Sequence, residues 1–378
     1  MEAELKTPAG LPRRKRTMPS SAVAQTIAAI RGVDPRYQQA AQQHLDSLTK
    51  PLGSLGQIEA VAAQYVAWGE EEVPKISGKA VYVFAGDHGI TDEGVSAYPR
   101  DVTPQMVRNF LNGGAAINVL ARQTNSDIVV VDVGVDFDFD GAAGLLHRKV
   151  RRGTRNFARE AAMTEAELNA ALEVGIDLAN EAAAQGRTLI ALGEMGIGNT
   201  SAATAITAAL TGKPVSELTG RGTGLDEPRC VRKAEIIDRA LRLHFGDFIT
   251  ANPKPEPLEI LRAVGGFEIA AITGAVLGAA ARRIAIVIDG FICSAGAAIA
   301  CGLAPDARFG IIAGHLSQEP GHRALLQTMG VKPVLQLDMR LGEGTGAVLT
   351  FPLIEAAVRI YNEMATFGSA GVSEASQA

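Results

Sequence analysis

The sequence predicts an α/β fold: a mostly parallel sheet covered by helices. Two observations predict it. Six short runs are nearly continuously apolar, as strands buried on both faces must be. They are "KAVYVFAGD" at 79–87, "DIVVVDVGV" at 127–135, "RTLIALGEM" at 187–195, "RRIAIVIDG" at 282–290, "RFGIIAG" at 308–314 and "PVLQLDM" at 333–339. Helical patterns lie between most of them, and such alternation builds parallel sheets by crossover connections.

Residues 21–70 read as helical and precede the first run. The pattern "PQMVRNFLNGGAAINVLARQ" joins the first two runs, and "TEAELNAALEVGIDLANEAAAQ" joins the second and third. "GFEIAAITGAVLGAAARR" leads into the fourth, after a loop at "NPKPEPLE". No internal repeat is visible. The chain has 378 residues, 47% hydrophobic but only 5% aromatic, so Ala, Val, Ile and Leu must build the core.

A formal net charge of -5 gives no electrostatic reason to expect nucleic acid as partner. The three cysteines have neither zinc spacing nor a disulfide framework, which favours a reducing, cytoplasmic setting. No apolar stretch reaches the roughly 20 residues that span a bilayer before Gly, Pro or charge interrupts it. The basic "RRKR" lies in residues 1–20, expected to be a flexible tail without an apolar signal region. Residues 367–378 are expected to be a disordered tail.

In open α/β sheets, ligands sit outside the carboxyl ends of the strands. Those ends concentrate Asp87, His88, Asp132, Glu194, Asp289, His315, Glu319 and Glu343 on one rim. Some of them serve only as caps and turns. His88 and His315 lack partners at metal-ligand spacing, and no metal is expected.

Three glycine-dense turns stand out. "GEMGIGNTSAATAITAAL" runs from a strand end into a helix, and its free N–H groups near Asn199 and Thr200 suit an anion. A plain N-cap is the alternative. It is not a dinucleotide fingerprint, because Ser201 replaces the third glycine and Glu217 does not end an apolar strand. A monophosphate fits better. "LTGRGTGLDEPRCVRKAEII" places Lys233 on a following helix, as a phosphate partner or, on composition alone, a surface lysine. The basic stretch "HRKVRRGTRNF" at 147–157 reads as a solvated face. "RLGEGTGA" sets Glu343 between Gly342 and Gly344, as a catalytic carboxylate or a helix N-terminal acid.

Together, "KPLGSLG" at 50–56, "FAGDHGI" at 84–90, "GVSAYP" at 94–99, "GEMGIGNT" at 193–200, "GGFEIAAITG" at 265–274 and "LGEGTGA" at 341–347 closely resemble one family. It is nicotinate-nucleotide–dimethylbenzimidazole phosphoribosyltransferase, and the resemblance covers roughly residues 20–365. It implies a Rossmann-like open sheet at 79–345 and a smaller helical domain from 21–78 and 346–366. A homodimer is implied too. It also implies nicotinate mononucleotide and dimethylbenzimidazole as substrates, with no cofactor. Glu343 is then the catalytic base, with Glu194 in the same site. Gly196, Ile197, Gly198, Asn199, Thr200, Gly222, Lys233 and Asp289 are implied at the nucleotide and its phosphate. Tyr98, Met106 and Leu341 are implied at the benzimidazole.

The implied chemistry needs only one base. The donor's ring nitrogen is already cationic, so nicotinate leaves C1′ without a general acid. The acceptor ring gains positive charge as it attacks, and a carboxylate on its N–H takes the proton. No pyrophosphate leaves, so a magnesium clamp is unnecessary. Two other readings compete: a nicotinamide-dependent oxidoreductase and a non-catalytic nucleotide-binding protein.

Overall fold

A computed structural model describes residues 17–222, 224–250 and 254–373. Its strands are β1 (Lys79–Gly86), β2 (Asp127–Gly134), β3 (Leu145–His147), β4 (Leu189–Met195), β5 (Ala285–Ile288), β6 (Ile311–His315) and β7 (Pro333–Leu335). They form one seven-stranded sheet in the order β3-β2-β1-β4-β5-β6-β7, parallel throughout. The order reverses between β1 and β4, where the two strands after which the chain departs in opposite directions leave a crevice. The register sets Phe84 beside Glu194 and Ala85 beside Met195. Both FAGDHG and GEMGIG therefore emerge at this switch point.

Six of the strands coincide with the six apolar runs, β6 reaching one residue past its run. The seventh, β3, is three residues long, too short for its pattern to rise above the basic stretch that follows. That stretch is not simply a solvated face. Lys149 Nζ lies 2.7 Å from the buried Asp132 carboxylate and 3.0 Å from the Phe137 carbonyl. Gly153 and Thr154 bond backbone to backbone with Gly134 and Asp87.

Helix packing follows from small residues. The helix Glu165–Ala184 opens with a capping box, Thr164 and Glu167 exchanging bonds with each other's backbone. It lies against the helix Phe267–Ala281 at Gly175 and Gly274. A Cβ at either glycine would stand 1.9 Å from a carbonyl oxygen of the facing helix. Alanine at either position therefore forces the helices apart.

The helical N-terminal region forms three helices, Ser21–Ala29, Pro35–Ser47 and Gln57–Gly69. The terminal segments meet: Leu48 bridges Thr366, and His44 Nε2 is 2.8 Å from the Tyr361 carbonyl. Order extends beyond residue 366, because Thr366 caps a short helix at Phe367–Ala370. At the other end Ser20 caps the first helix and bonds Glu173 and Asn169. "RRKR" and residues 374–378 lie outside the described residues. Among the described residues, no helix is long and apolar enough to cross a membrane.

One long helical pattern divides. Residues 104–123 form parts of two helices, Val102–Leu111 and Ala116–Gln123, separated at Gly113 with φ 76°. That break creates a helix start in the middle of the run, and the site uses it.

Candidate active site

The Glu343 turn is a strained piece of backbone. Gly342, Glu343 and Gly344 have φ of 91°, 64° and 90°, and a left-handed glutamate persists only where its surroundings hold it. β4 supplies the floor. A Cβ at Gly193 would lie 2.4 Å from the Glu343 carbonyl oxygen, so only glycine lets the turn settle on the strand. The helix Thr345–Glu363 begins immediately after, and Thr345 bonds back to the Gly342 carbonyl through Oγ1 at 2.8 Å.

Glu343 is 6% exposed. Its Oε2 accepts the Ile117 N–H at 3.3 Å. That N–H belongs to the first turn of Ala116–Gln123, where amides lack intrahelical partners and favour negative charge. The other oxygen, Oε1, bonds to none of the described residues. Burial outweighs the Ile117 bond, and the Asp289 charge adds to burial, so the carboxyl is pushed above the usual carboxylate range. A desolvated carboxylate of raised basicity, with one oxygen free, is equipped to accept a proton.

Glu194, the penultimate residue of β4, lies beside this turn. A Cβ at Gly342 would stand 2.4 Å from Glu194 Oε1, so the two glutamates share one small space. Its Oε2 accepts from Asn199 Nδ2. Burial, followed by the charges of Asp289, Glu268 and Glu343, pushes its carboxyl well above the usual range. The environments of Glu194 and Glu343 therefore differ: both carboxyls are raised, that of Glu194 further because more negative charge surrounds it.

Gly196, Ile197 and Gly198 make the turn into the helix Asn199–Thr211, with Gly198 at φ 98°. The Ile197 N–H donates to Thr103 Oγ1 at 3.1 Å. No acceptor among the described residues takes the N–H of Gly198 or Thr200. The turn lies against the segment after β1, since a Cβ at Gly198 would meet Thr91 Cγ2 at 2.7 Å and His88 Cβ at 3.2 Å. His88 in turn pairs with Glu268, Nε2 to Oε1 at 2.6 Å, joining the FAGDHG and GGFEIA motifs.

Lys233 is only 1% exposed. Its Nζ donates to Thr200 Oγ1 at 2.8 Å, and a Cβ at Gly222 would stand 3.3 Å from it. Gly222, Thr200 and Lys233 thus converge on the anion turn. Burial lowers the ammonium to about 8, against the opposing pull of the Glu319 carboxylate. A buried ammonium beside N–H groups without acceptors is a site that awaits an anion.

A family model, DBI_PRT, described as phosphoribosyltransferase, matches residues 30–372. A Geobacter sp. (strain M21) protein named nicotinate-nucleotide–dimethylbenzimidazole phosphoribosyltransferase is 53% identical over 348 residues, 92% of this chain and 98% of that one. The protein of the same name from Geobacter sulfurreducens is 53% identical over 352 residues, 93% of this chain and 98% of its own. The chain belongs to this phosphoribosyltransferase family. A crystal structure of CobT from Thermus thermophilus superposes with a TM-score of 0.85 at 48% identity, covering 90% of this chain and all of that one. The Rossmann-like α/β class is thereby shared with a solved relative.

Within the family framework, the remaining implied residues fall in different places. Asp289 follows β5, and both its oxygens accept backbone N–H groups at and after the Glu343 turn. Tyr98 and Leu341 are exposed, 54% and 58%, on the segments flanking the anion turn and Glu343. Met106 is half-buried on Val102–Leu111, one turn beyond Thr103. Lys233, a surface lysine on composition alone, is interior. Among the described residues no group of His, Cys, Asp and Glu is arranged to hold a metal.

Two contributors escaped the sequence. The Ile117 N–H carries no side-chain signature, and only a helix start predicted at 116 would have pointed to it. Arg340 donates to the Gly222 carbonyl at 3.2 Å, linking the Glu343 segment to the Lys233 side. Its place in "RLGEGTGA" was the available signal.

Proposed function

We propose that this chain transfers the phosphoribosyl group of nicotinate mononucleotide to 5,6-dimethylbenzimidazole. The products are α-ribazole 5′-phosphate and nicotinate, with inversion at C1′, a step that builds the nucleotide loop of cobalamin. The observation that carries the reading is Glu343: buried, held at φ 64°, one oxygen pinned by Ile117 and the other open. Membership of a phosphoribosyltransferase family supplies the reaction class.

The donor phosphate sits on the Gly196–Thr200 turn, with Lys233 as point charge and Gly222 allowing close approach. Glu343 accepts the benzimidazole N–H proton as the ring's other nitrogen attacks C1′, so positive charge never accumulates on the acceptor. The departing nicotinate carries away a neutral ring nitrogen and asks no proton of the enzyme. Glu194, its carboxyl pushed well above the usual range by burial, serves as a hydrogen-bond donor rather than a second base. The exposed Tyr98 and Leu341, with Met106, border the acceptor ring. Holding both rings on opposite faces of the ribose supplies a large share of the rate, since proximity contributes on the order of 7–11 kcal/mol.

The chain works as a homodimer in the cytoplasm, where its cysteines remain thiols; light scattering tests the first point. Incubation with both substrates and mass detection of nicotinate and the ribotide tests the reaction. NMR assignment of an α-linked product supports direct displacement. A β-linked product, or exchange of labelled nicotinate without acceptor, overturns it.

A further inference from the structure

The residue after β5, Asp289, is 1% exposed and faces no solvent. Its Oδ2 accepts the Gly344 N–H at 3.1 Å, and its Oδ1 accepts those of Gly346 at 2.7 Å and Ala347 at 3.1 Å. These are the amides at the start of Thr345–Glu363, which lack intrahelical acceptors. They are also the backbone immediately following Glu343. A carboxylate there satisfies three orphan donors and complements the positive end of the helix. From β6, His315 stands behind it, with Nε2 3.4 Å from Asp289 Oδ1. The His315 ring is wedged against Gly346, where a Cβ would lie 2.0 Å from its Cδ2.

We infer that Asp289 is a positioning residue for the catalytic base: it ties down the backbone that keeps Glu343 left-handed and sets the electrostatic environment of its carboxyl. The inference rests on the proposed role of Glu343. It gives Asp289 a role different from the nucleotide contact that the family resemblance implies. The geometry explains how a non-glycine residue stays at φ 64° without a ligand: Gly193 supports its carbonyl from below, and Asp289 grips the next amides. The titratable groups facing Glu343 are Asp289 after β5 and Glu194 near the end of β4. Glu268 stands behind Glu194, and His315 behind Asp289. The negative charge of Asp289 adds to burial in raising the Glu343 carboxyl's affinity for a proton.

The test is the pH dependence of kcat for Asp289→Asn and the wild-type enzyme, with donor and acceptor KM measured alongside. Glu343 must be ionised to act, so activity falls as pH drops through its folded pKa. Removing the Asp289 charge lowers that pKa, so the acid limb moves to lower pH. The base weakens and the turn loosens, so plateau kcat drops at least tenfold while donor KM changes less than threefold. An unmoved acid limb, or a donor KM raised tenfold with kcat intact, overturns the inference; the latter restores a nucleotide contact. Glu343→Gln in the same assay separates the premises, since near-wild-type turnover there refutes the base and not the positioning. Should Asp289→Asn not fold, amide exchange in the wild-type chain decides. Protection at Gly344, Gly346 and Ala347 equal to that of the central strands supports the grip, and rapid exchange there contradicts it.

Discussion

Lys233 Nζ donates to Thr200 Oγ1 across 2.8 Å, with the lysine only 1% exposed. An ammonium buried this deeply is a cost to the ligand-free fold. Its pKa falls from 10.5 to about 8 on folding, so between those values the unfolded chain binds more protons and stability rises with pH. Lys233→Met removes that penalty. The variant should unfold at higher temperature than wild type at pH 7, by about 1–3 kcal/mol of stability. It should also bind nicotinate mononucleotide at least tenfold more weakly while keeping its benzimidazole affinity. Calorimetric titration of each substrate checks this, and equal weakening of both would remove Lys233 from the phosphate site.

Gly193 carries no chemistry, yet its place under the Glu343 carbonyl makes it indispensable. Gly193→Ala puts a Cβ 2.4 Å from that oxygen, so the turn must shift. Misplacing a catalytic group by about an ångström can cost a hundredfold. The expected result is a kcat loss of that order with donor binding nearly unchanged, because the anion turn lies beyond the clash. Steady-state kinetics with wild-type kcat would show that the turn tolerates displacement.

Glu194→Gln and Glu194→Ala should behave differently. A protonated carboxyl and a carboxamide are alike in shape and charge, and the amide oxygen can still accept from Asn199 Nδ2. Turnover of Glu194→Gln should stay within about threefold of wild type near neutral pH, whereas Glu194→Ala loses the donor and opens a cavity. A hundredfold loss in the glutamine variant would mean that the ionised form of Glu194 is required.

The sheet and the glycine turns were legible in the sequence because each depends on local pattern. Buried parallel strands leave unbroken apolar runs, and turns at positive φ select glycine. Glu343 stood out for the same reason. What the pattern hid is non-local. Ile117 and Glu343 are 226 positions apart and meet only through the sheet order. The burial of Lys233 is invisible in an amphipathic helix whose arginines are all exposed. The split of residues 104–123 into two helices turns on Gly113, which helical periodicity alone does not distinguish from an internal glycine. Asp289 shows a further limit: its three backbone partners, 55 to 58 positions away, leave no trace in the local pattern.

The measurement closest to the central claim is turnover of Glu343→Gln with nicotinate mononucleotide and dimethylbenzimidazole, followed by product mass and NMR. Glutamine keeps the side-chain shape and can still accept the Ile117 N–H, but it cannot take a proton. Losing a general base costs roughly a hundredfold to ten-thousandfold. The expected result is a fall in that range, an unchanged fold by circular dichroism, and donor affinity within threefold of wild type. Turnover within a few-fold of wild type, with Glu194 intact, would contradict it.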